Sequence, residues 1–260
     1  MQYDAMLYLI GLGLSKGDIS AKALEIAKKC DAAYIERYTG RISDSDVNEL
    51  AKSVGKEFRI LKRPSFEDNV AELISEAIEK NVGVFIEGAP LIATTHKILF
   101  IDAKAQNVEI KVVHSVSILT AAMGESMLDF YRFGAVCTIA DWSEHYKPVS
   151  FYETIEKNLG MNLHSILFLD FNESEQASPD LRRVSSILKS AEEQYNRGVL
   201  DQNKEIMILH NVELDTQKNL LVKISELEDI ELDNGPTLII IPAKLSDIEN
   251  ELINAVYRQK

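Results

Sequence analysis

Val82-Gly83-Val84-Phe85-Ile86-Glu87-Gly88-Ala89-Pro90-Leu91-Ile92-Ala93-Thr94-Thr95-His96 is the stretch on which the fold turns. Its first five residues make an apolar run too short for a helix and too uniform for a strand with one wet face. They read as a strand buried on both sides, the kind a parallel sheet requires. Gly88 and Pro90 stop that strand. The spacing beyond them predicts a helix through about Ala105, then a strand at Val108–Val113. Ligands bind beyond the carboxyl ends of parallel strands, where such loops lie. Spacing alone leaves two readings of this loop: a ligand site, or a plain strand–turn–helix joint with Thr94 as its N-cap.

The same alternation continues upstream. Met6–Ile10 reads as a strand ending in Gly11-Leu12-Gly13, and Ser20–Cys30 as a helix with Asp18 as its N-cap. A strand at Ala32–Glu36, a helix at Asp44–Val54 capped near Ser43, a strand at Phe58–Leu61 and a helix at Val70–Lys80 follow. Strands alternating with helices predict a mainly parallel sheet. Downstream the pattern changes. Short helices at Ser117–Met123 and Phe151–Asn158 and a long one at Leu181–Arg197 are interleaved with strands at Ala135–Ile139 and Ser165–Phe171. Glu205–His210 and Leu220–Lys223 suit an antiparallel hairpin, Thr237–Ile241 a further strand, and Asp247–Tyr257 a closing helix. The fold class is therefore α/β in two domains, 6–114 with a mainly parallel sheet and 115–260 with a mixed one.

Forty-one acidic against 28 basic residues leave a net charge of −13, which repels a phosphate backbone and argues against nucleic acid as a partner. Lys56, Arg59, Lys62 and Arg63 form the one basic cluster, read as a solvated strand and loop. Two cysteines, Cys30 and Cys137, are too few for a disulfide framework and fit a reducing compartment. No apolar run reaches the roughly 20 residues that span a bilayer. The amino-terminal residues lack the basic flank of a secretion signal. A cytoplasmic protein is expected.

Several sequence signatures exclude chemistries. Gly11-Leu12-Gly13 follows a strand, but the third glycine of a dinucleotide fingerprint would fall at Lys16, so an NAD-type site is not expected. The five histidines, at 96, 114, 145, 164 and 210, show no metal-ligand spacing. The phosphate-binding P-loop and the G-x-S-x-G nucleophile elbow are both absent. His114-Ser115-Val116-Ser117-Ile118 follows a strand at the domain boundary, where its hydroxyls either meet a ligand or cap a helix. The acidic stretches Asn172–Gln176 and Glu226–Asp233 read as solvated loops.

Motifs in order along the chain carry a resemblance. They are Tyr8-Leu9-Ile10-Gly11-Leu12-Gly13-Leu14, Lys22 to Asp31, Glu36-Arg37-Tyr38-Thr39, Pro90 to His96, Ser117-Ile118, Tyr131-Arg132-Phe133-Gly134, Phe168-Leu169-Asp170 and Ile241-Pro242. From about Met6 to Tyr257 the chain resembles the diphthine synthases, within the tetrapyrrole-methylase group of S-adenosylmethionine-dependent methyltransferases. The resemblance implies a two-domain methylase fold with the cofactor, S-adenosyl-L-methionine, in a cleft between the domains, and a homodimer. It also implies a protein substrate, the modified histidine of translation elongation factor 2, methylated on its amino group during diphthamide biosynthesis. Carried over by position, the cofactor contacts are Leu14, Ala89, Ile92, Ser117, Ile118, Leu169, His210 and Thr237.

The chain departs from the family at some of these positions. Ala89 stands where the family has an aspartate, and losing one charge-assisted hydrogen bond costs about 1.5–3 kcal/mol. Val116 replaces a proline, Thr237 a histidine, and His210-Asn211-Val212-Glu213 a small, basic segment. Three functions are compatible with this pattern: the diphthine synthase reaction, a diverged paralogue with weakened or lost cofactor binding acting as an interaction protein, and methylation of another substrate such as a tetrapyrrole. Methyl transfer to an amine needs an in-line nucleophile above all, with a group nearby to take a proton. Glu36 and Tyr38, at the end of the second strand, are candidates for that role or plain strand-end residues.

Overall fold

The computed structural model describes residues 5–37, 42–61, 70–170 and 180–258. The chain divides into two compact units, Met1–Ile118 and Leu119–Lys260. The first unit contains β1 (Met6–Gly11), α1 (Ala21–Lys29), β2 (Ala32–Glu36), α2 (Asp44–Val54), β3 (Phe58–Leu61), α3 (Val70–Glu79) and β4 (Val82–Ile86). A 3-10 turn, His96–Ile98, then leads into α4 (Leu99–Ala105), and β5 (Glu109–Val113) completes the sheet. All strand pairs are parallel, in the order β3-β2-β4-β1-β5.

Side chains alternate across this sheet, and both faces are apolar. Ile10, Ala33, Ile35 and Phe85 pack with Ala23 and Ala27 of α1 and Val54 of α2. Leu7, Leu9, Tyr34, Val82 and Val84 pack with Leu73, Ile74 and Ala77 of α3 and Leu99 and Ala103 of α4. The chain therefore leaves β1 and β2 toward helices on one face and leaves β4, which lies between them, toward a helix on the other. Adjacent strands with connections on opposite faces open a crevice at their carboxyl ends. In this unit the change of side falls between β4 and β1, beside the arc Gly88–Thr95.

Helix α5 (Ile118–Glu125) starts at the last residue of the first unit; in the second unit it and a 3-10 turn, Phe130–Arg132, precede β6 (Cys137–Ile139), α6 (Ser150–Gly160), β7 (Ser165–Leu169) and α7 (Leu181–Tyr195). There follow β8 (Glu205–His210), β9 (Lys218–Lys223), the 3-10 turn Ile224–Asp229, β10 (Thr237–Ile241) and α8 (Asp247–Val256). The sheet order is β6-β7-β10-β8-β9, with β6 parallel to β7 and every other pair antiparallel. Its core joins Leu167, Ile206, Ile208, Ile239 and Ile241 to Phe151, Tyr152 and Ile155 of α6 and Val184, Ile187 and Leu188 of α7.

Four expectations need correction. The N-cap of α1 is Ser20, whose hydroxyl accepts from the Ala23 N–H; Asp18 turns back to its own loop instead. The helix after β4 starts only at His96, because Leu91 and Ala93 adopt positive φ of 70° and 53°, outside helical space. Thr94 caps nothing, since the turn begins after Thr95 and has no side-chain cap. The stretch 226–233 is not simply a solvated loop: Leu227 is fully buried within the 3-10 turn, Glu228 pairs with Lys189, and Asp233 pairs with His210. Arg59 of the basic cluster pairs with Glu76 and Tyr34. Lys62, Arg63, Phe171 and 172–176 lie outside the described residues.

Candidate functional site

Three loops meet at Gly11, the last residue of β1. A β-carbon there would lie 2.6 Å from Pro90 Cδ, 2.9 Å from the Gly88 carbonyl oxygen and 2.9 Å from Ser115 Cβ. The loops after β4 and β5 can close on the end of β1 because position 11 carries no side chain. The loop after β1 then pairs with the loop after β4. Leu12 N–H donates to the Ile86 carbonyl at 2.9 Å, and Gly13 and Gly88 exchange backbone hydrogen bonds of 3.1 and 2.7 Å. Gly13 and Gly88 hold φ of 83° and 75°, a region open to glycine at no steric cost.

Asp18 sets the course of the first loop. Its Oδ2 accepts from the Leu14 and Ser15 N–H groups, both at 2.8 Å, while its own carbonyl accepts from the Ser115 hydroxyl at 3.2 Å. The Asp18 side chain fills the space that a side chain on Gly13 would need, its Cβ 2.0 Å and its Oδ2 2.8 Å from the missing carbon. Leu14 is thereby held beside Gly88, its Cδ2 3.9 Å from the position a glycine β-carbon would occupy.

The arc after β4 is the strained part of the unit. Leu91 and Ala93 lie in the left-handed region, which costs a non-glycine residue roughly 1–3 kcal/mol and concentrates at functional sites. Ala89 is 8% exposed and Ile92 39% exposed, joined by an Ile92 N–H to Ala89 carbonyl bond of 3.3 Å. Thr94 Oγ1 is enclosed with no hydrogen-bond partner among the described residues. Behind the arc, His96 and Glu36 are almost completely buried with Nε2 and Oε2 2.7 Å apart. Glu36 is thus sequestered by its own protein rather than presented to a substrate. Tyr38 lies outside the described residues.

Of the five residues expected to serve a cofactor in this unit, Leu14, Ala89 and Ile92 are drawn together at the ends of β1 and β4. Ser117 and Ile118, half-buried, follow just beyond the Ser115 contact at the end of β5. The other three are one row of the second sheet. Register pairs Leu238 with Phe168 and Thr237 with His210, which puts Leu169, Thr237 and His210 side by side on adjacent strands. Their side chains share a face, and His210 Nδ1 lies 2.8 Å from Thr237 Oγ1. His210 Nε2 is hydrogen-bonded to Asp233, and that bond holds the Asp233 carboxyl below its usual range. Positions 210 and 237, both expected from the resemblance to differ from the family, are therefore cross-strand partners. A cavity of about 440 Å³ lies beside them, lined by Asp180, Arg182, Ile230, Asp233, Gly235 and Thr237 among others.

Sequence reasoning missed Asp18 as a loop anchor, the Glu36–His96 pair and the Asp233–His210 bond. The one signal for the first was the pair of glycines at 11 and 13, which leaves space for a neighbouring carboxylate.

Two α/β units of this topology, with backbone loops drawn together at the ends of parallel strands, define a class. The family model for Tetrapyrrole (Corrin/Porphyrin) Methylases matches residues 6–228. The chain is 40% identical over 166 residues to the diphthine synthase of Methanothermobacter thermautotrophicus, covering 64% of this chain and 62% of that protein. It is 34% identical over 179 residues to the diphthine methyl ester synthase of Candida glabrata, covering 68% of this chain and 60% of that one. Each alignment spans less than two thirds of the relative's own length. A crystal structure from Entamoeba histolytica assigned to the diphthine synthases superposes with a TM-score of 0.88 at 30% identity, covering 98% of this chain and all of that one. The chain belongs to the tetrapyrrole methylase family and, within it, to the diphthine synthases.

Proposed function

We propose that this protein transfers methyl from S-adenosyl-L-methionine to the modified histidine of translation elongation factor 2, as the diphthine synthase step of diphthamide biosynthesis. The observation that carries the reading is the gathering of eight expected cofactor positions into two compact sets. Leu14, Ala89, Ile92, Ser117 and Ile118 belong to the converging loops of the first unit, and Leu169, Thr237 and His210 to one row of the second sheet. The residue types fit such a cofactor. Leu14, Ile92 and Ile118 offer apolar surface for an adenine ring, and backbone groups around Gly11, Gly13 and Gly88 can be approached closely. Thr94 Oγ1 adds an enclosed hydroxyl with no partner among the described residues.

The bound cofactor supplies an electrophilic methyl group. The protein's own task is to hold the acceptor in line with it and keep water away, and positioning of this kind provides much of the acceleration in group transfer. With an amine acceptor, the protein would present the neutral nitrogen with its lone pair in line and leave the displaced proton a path to solvent or a neighbouring base. A second reading, methyl transfer to a carboxylate oxygen, is favoured by the likeness to a relative named diphthine methyl ester synthase. Mass spectrometry of elongation factor 2 carrying the unmethylated side chain, after incubation with enzyme and cofactor, tests both. N-methylation gives a product stable to mild alkali, whereas an ester is lost. No mass gain on this substrate would refute both readings and leave the interaction-protein or other-substrate readings.

We also propose that the protein works as a cytoplasmic homodimer, with 6–114 and 115–260 as its domains. The family resemblance supports the dimer, and the change from a parallel to a mixed sheet supports the division. Among the described residues no helix is long and apolar enough to cross a membrane. Light scattering on the purified protein tests the dimer.

A further inference from the structure

We propose that the buried Glu36–His96 pair is a latch that holds the strained arc Gly88–Thr95 in its binding geometry. The inference rests on the reading that Ala89 and Ile92 of this arc contact the cofactor. It makes Glu36 and His96 positioning residues, acting through the arc without touching substrate.

The arc leaves β4 and must return to the 3-10 turn at His96. Between those points Leu91 and Ala93 both hold left-handed φ. Such residues persist only where the surroundings over-determine them, because relaxing to an ordinary conformation would release strain. The arc is tethered at both ends, and the tethers come from the two strands that flank β4. On the β1 side, Gly13 and Gly88 exchange backbone hydrogen bonds. On the β2 side, Glu36, the last residue of that strand, meets His96 at 2.7 Å, with both side chains at most 2% exposed. A polar contact so enclosed costs desolvation and is weak ground for overall stability, but it fixes the geometry of the two segments that carry it. Glu87 adds a lateral link, its carboxylate accepting from the Ile42 N–H at 2.9 Å. Cutting the β2 tether frees one end of the arc and lets Leu91 and Ala93 relax, which moves Ala89 and Ile92 out of the geometry in which they would meet the cofactor.

The test uses the double variant Glu36→Leu/His96→Leu, which removes both members of the pair. Two quantities are measured on the full chain: hydrogen exchange of the Ile92 and Ile98 amides, which are bonded within and just after the arc, and calorimetric affinity for S-adenosylhomocysteine. The latch predicts exchange faster by about tenfold and binding weaker by about tenfold, with the global unfolding midpoint little changed. His96→Gln, whose amide nitrogen reaches toward Glu36 as imidazole Nε2 does, should restore most of both. A purely structural pair would lower the midpoint and leave arc exchange and affinity unchanged, which overturns the proposal. If the wild-type protein does not bind S-adenosylhomocysteine, the cofactor reading fails and amide exchange alone decides the latch. Should the double variant not fold, His96→Asn, too short to reach Glu36, is judged by the same two measurements.

Discussion

Each unit buries a histidine against a glutamate, and the two pairs sit in different company. In the second unit, Glu249 of α8 is enclosed in backbone donors. It accepts from Asp129 N–H at 3.0 Å and Ser246 N–H at 2.7 Å, meets His164 Nε2 at 2.9 Å and is bonded by Arg132. His164 Nδ1 accepts from the Ala243 N–H, so its proton is on Nε2, facing the carboxylate. This pair stitches a turn, a strand end and a helix, away from the loops at the carboxyl ends of the parallel strands. In the first unit, Glu36 and His96 tie a strand end to an arc held at positive φ at the carboxyl ends of the parallel strands. The same chemistry serves the framework in one place and a candidate binding loop in the other, and the difference is legible only from what each pair is attached to.

Breaking the framework pair gives the largest expected effect. Glu249→Ala removes the acceptor for four donors and should cost about 3–5 kcal/mol in denaturant unfolding. Where it remains folded, affinity for S-adenosylhomocysteine should be nearly that of the wild type; a stability loss below about 1 kcal/mol would contradict the assignment. Acid should undo the same pair in two stages. Burial lowers the His164 pKa below its ordinary 6.5, outweighing the Glu249 carboxylate that raises it, so the unfolded chain takes up this proton first. Stability from this source is complete above pH 6.5 and declines as the pH falls below it. Burial pushes the Glu249 carboxyl up, but the Ser246, Asp129 and His164 hydrogen bonds outweigh it and bring the pKa to about 2. Its contribution is full above its ordinary 4.5 and is lost as the pH falls toward 2. Thermal unfolding followed from pH 7 to 3 checks this, and a midpoint that rises on acidification would contradict it.

Smaller effects on stability, with larger effects on binding, are expected in the first unit. Gly11→Ala places a methyl group against backbone and Pro90 and should cost about 1–3 kcal/mol while sharply weakening the cofactor. Asp18→Ala leaves the Leu14 and Ser15 N–H groups without their acceptor, at about 1–3 kcal/mol, and should loosen the loop that carries Leu14. Unfolding curves and calorimetry on the same samples separate the two effects. If either variant lost stability but bound normally, these loops would be framework, and the contrast between the units would fail.

The fold was legible because its strands are short, uniformly apolar and separated by periodic helices. Ala32–Glu36 and Val82–Ile86 have the expected bounds, and the parallel and mixed sheets follow from the connections. Local pattern failed where a distant partner decides. Asp18 resembles an N-cap, but the space left by Gly13 draws its carboxylate onto the loop, and Ser20 takes the cap. Leu91 and Ala93 have helical propensity, yet tethers at both ends of the arc hold them out of the helix. The site residues came from resemblance. That Leu169, Thr237 and His210 form one row depends on strand register, which spacing along the chain does not encode.

Calorimetric titration with S-adenosyl-L-methionine and S-adenosylhomocysteine tests the central claim most directly. Binding in the micromolar range, about −8 kcal/mol, is the predicted result, with Ala89 in place and the converging glycine loops intact. No detectable heat from a sample whose cooperative unfolding shows it to be folded would contradict the account.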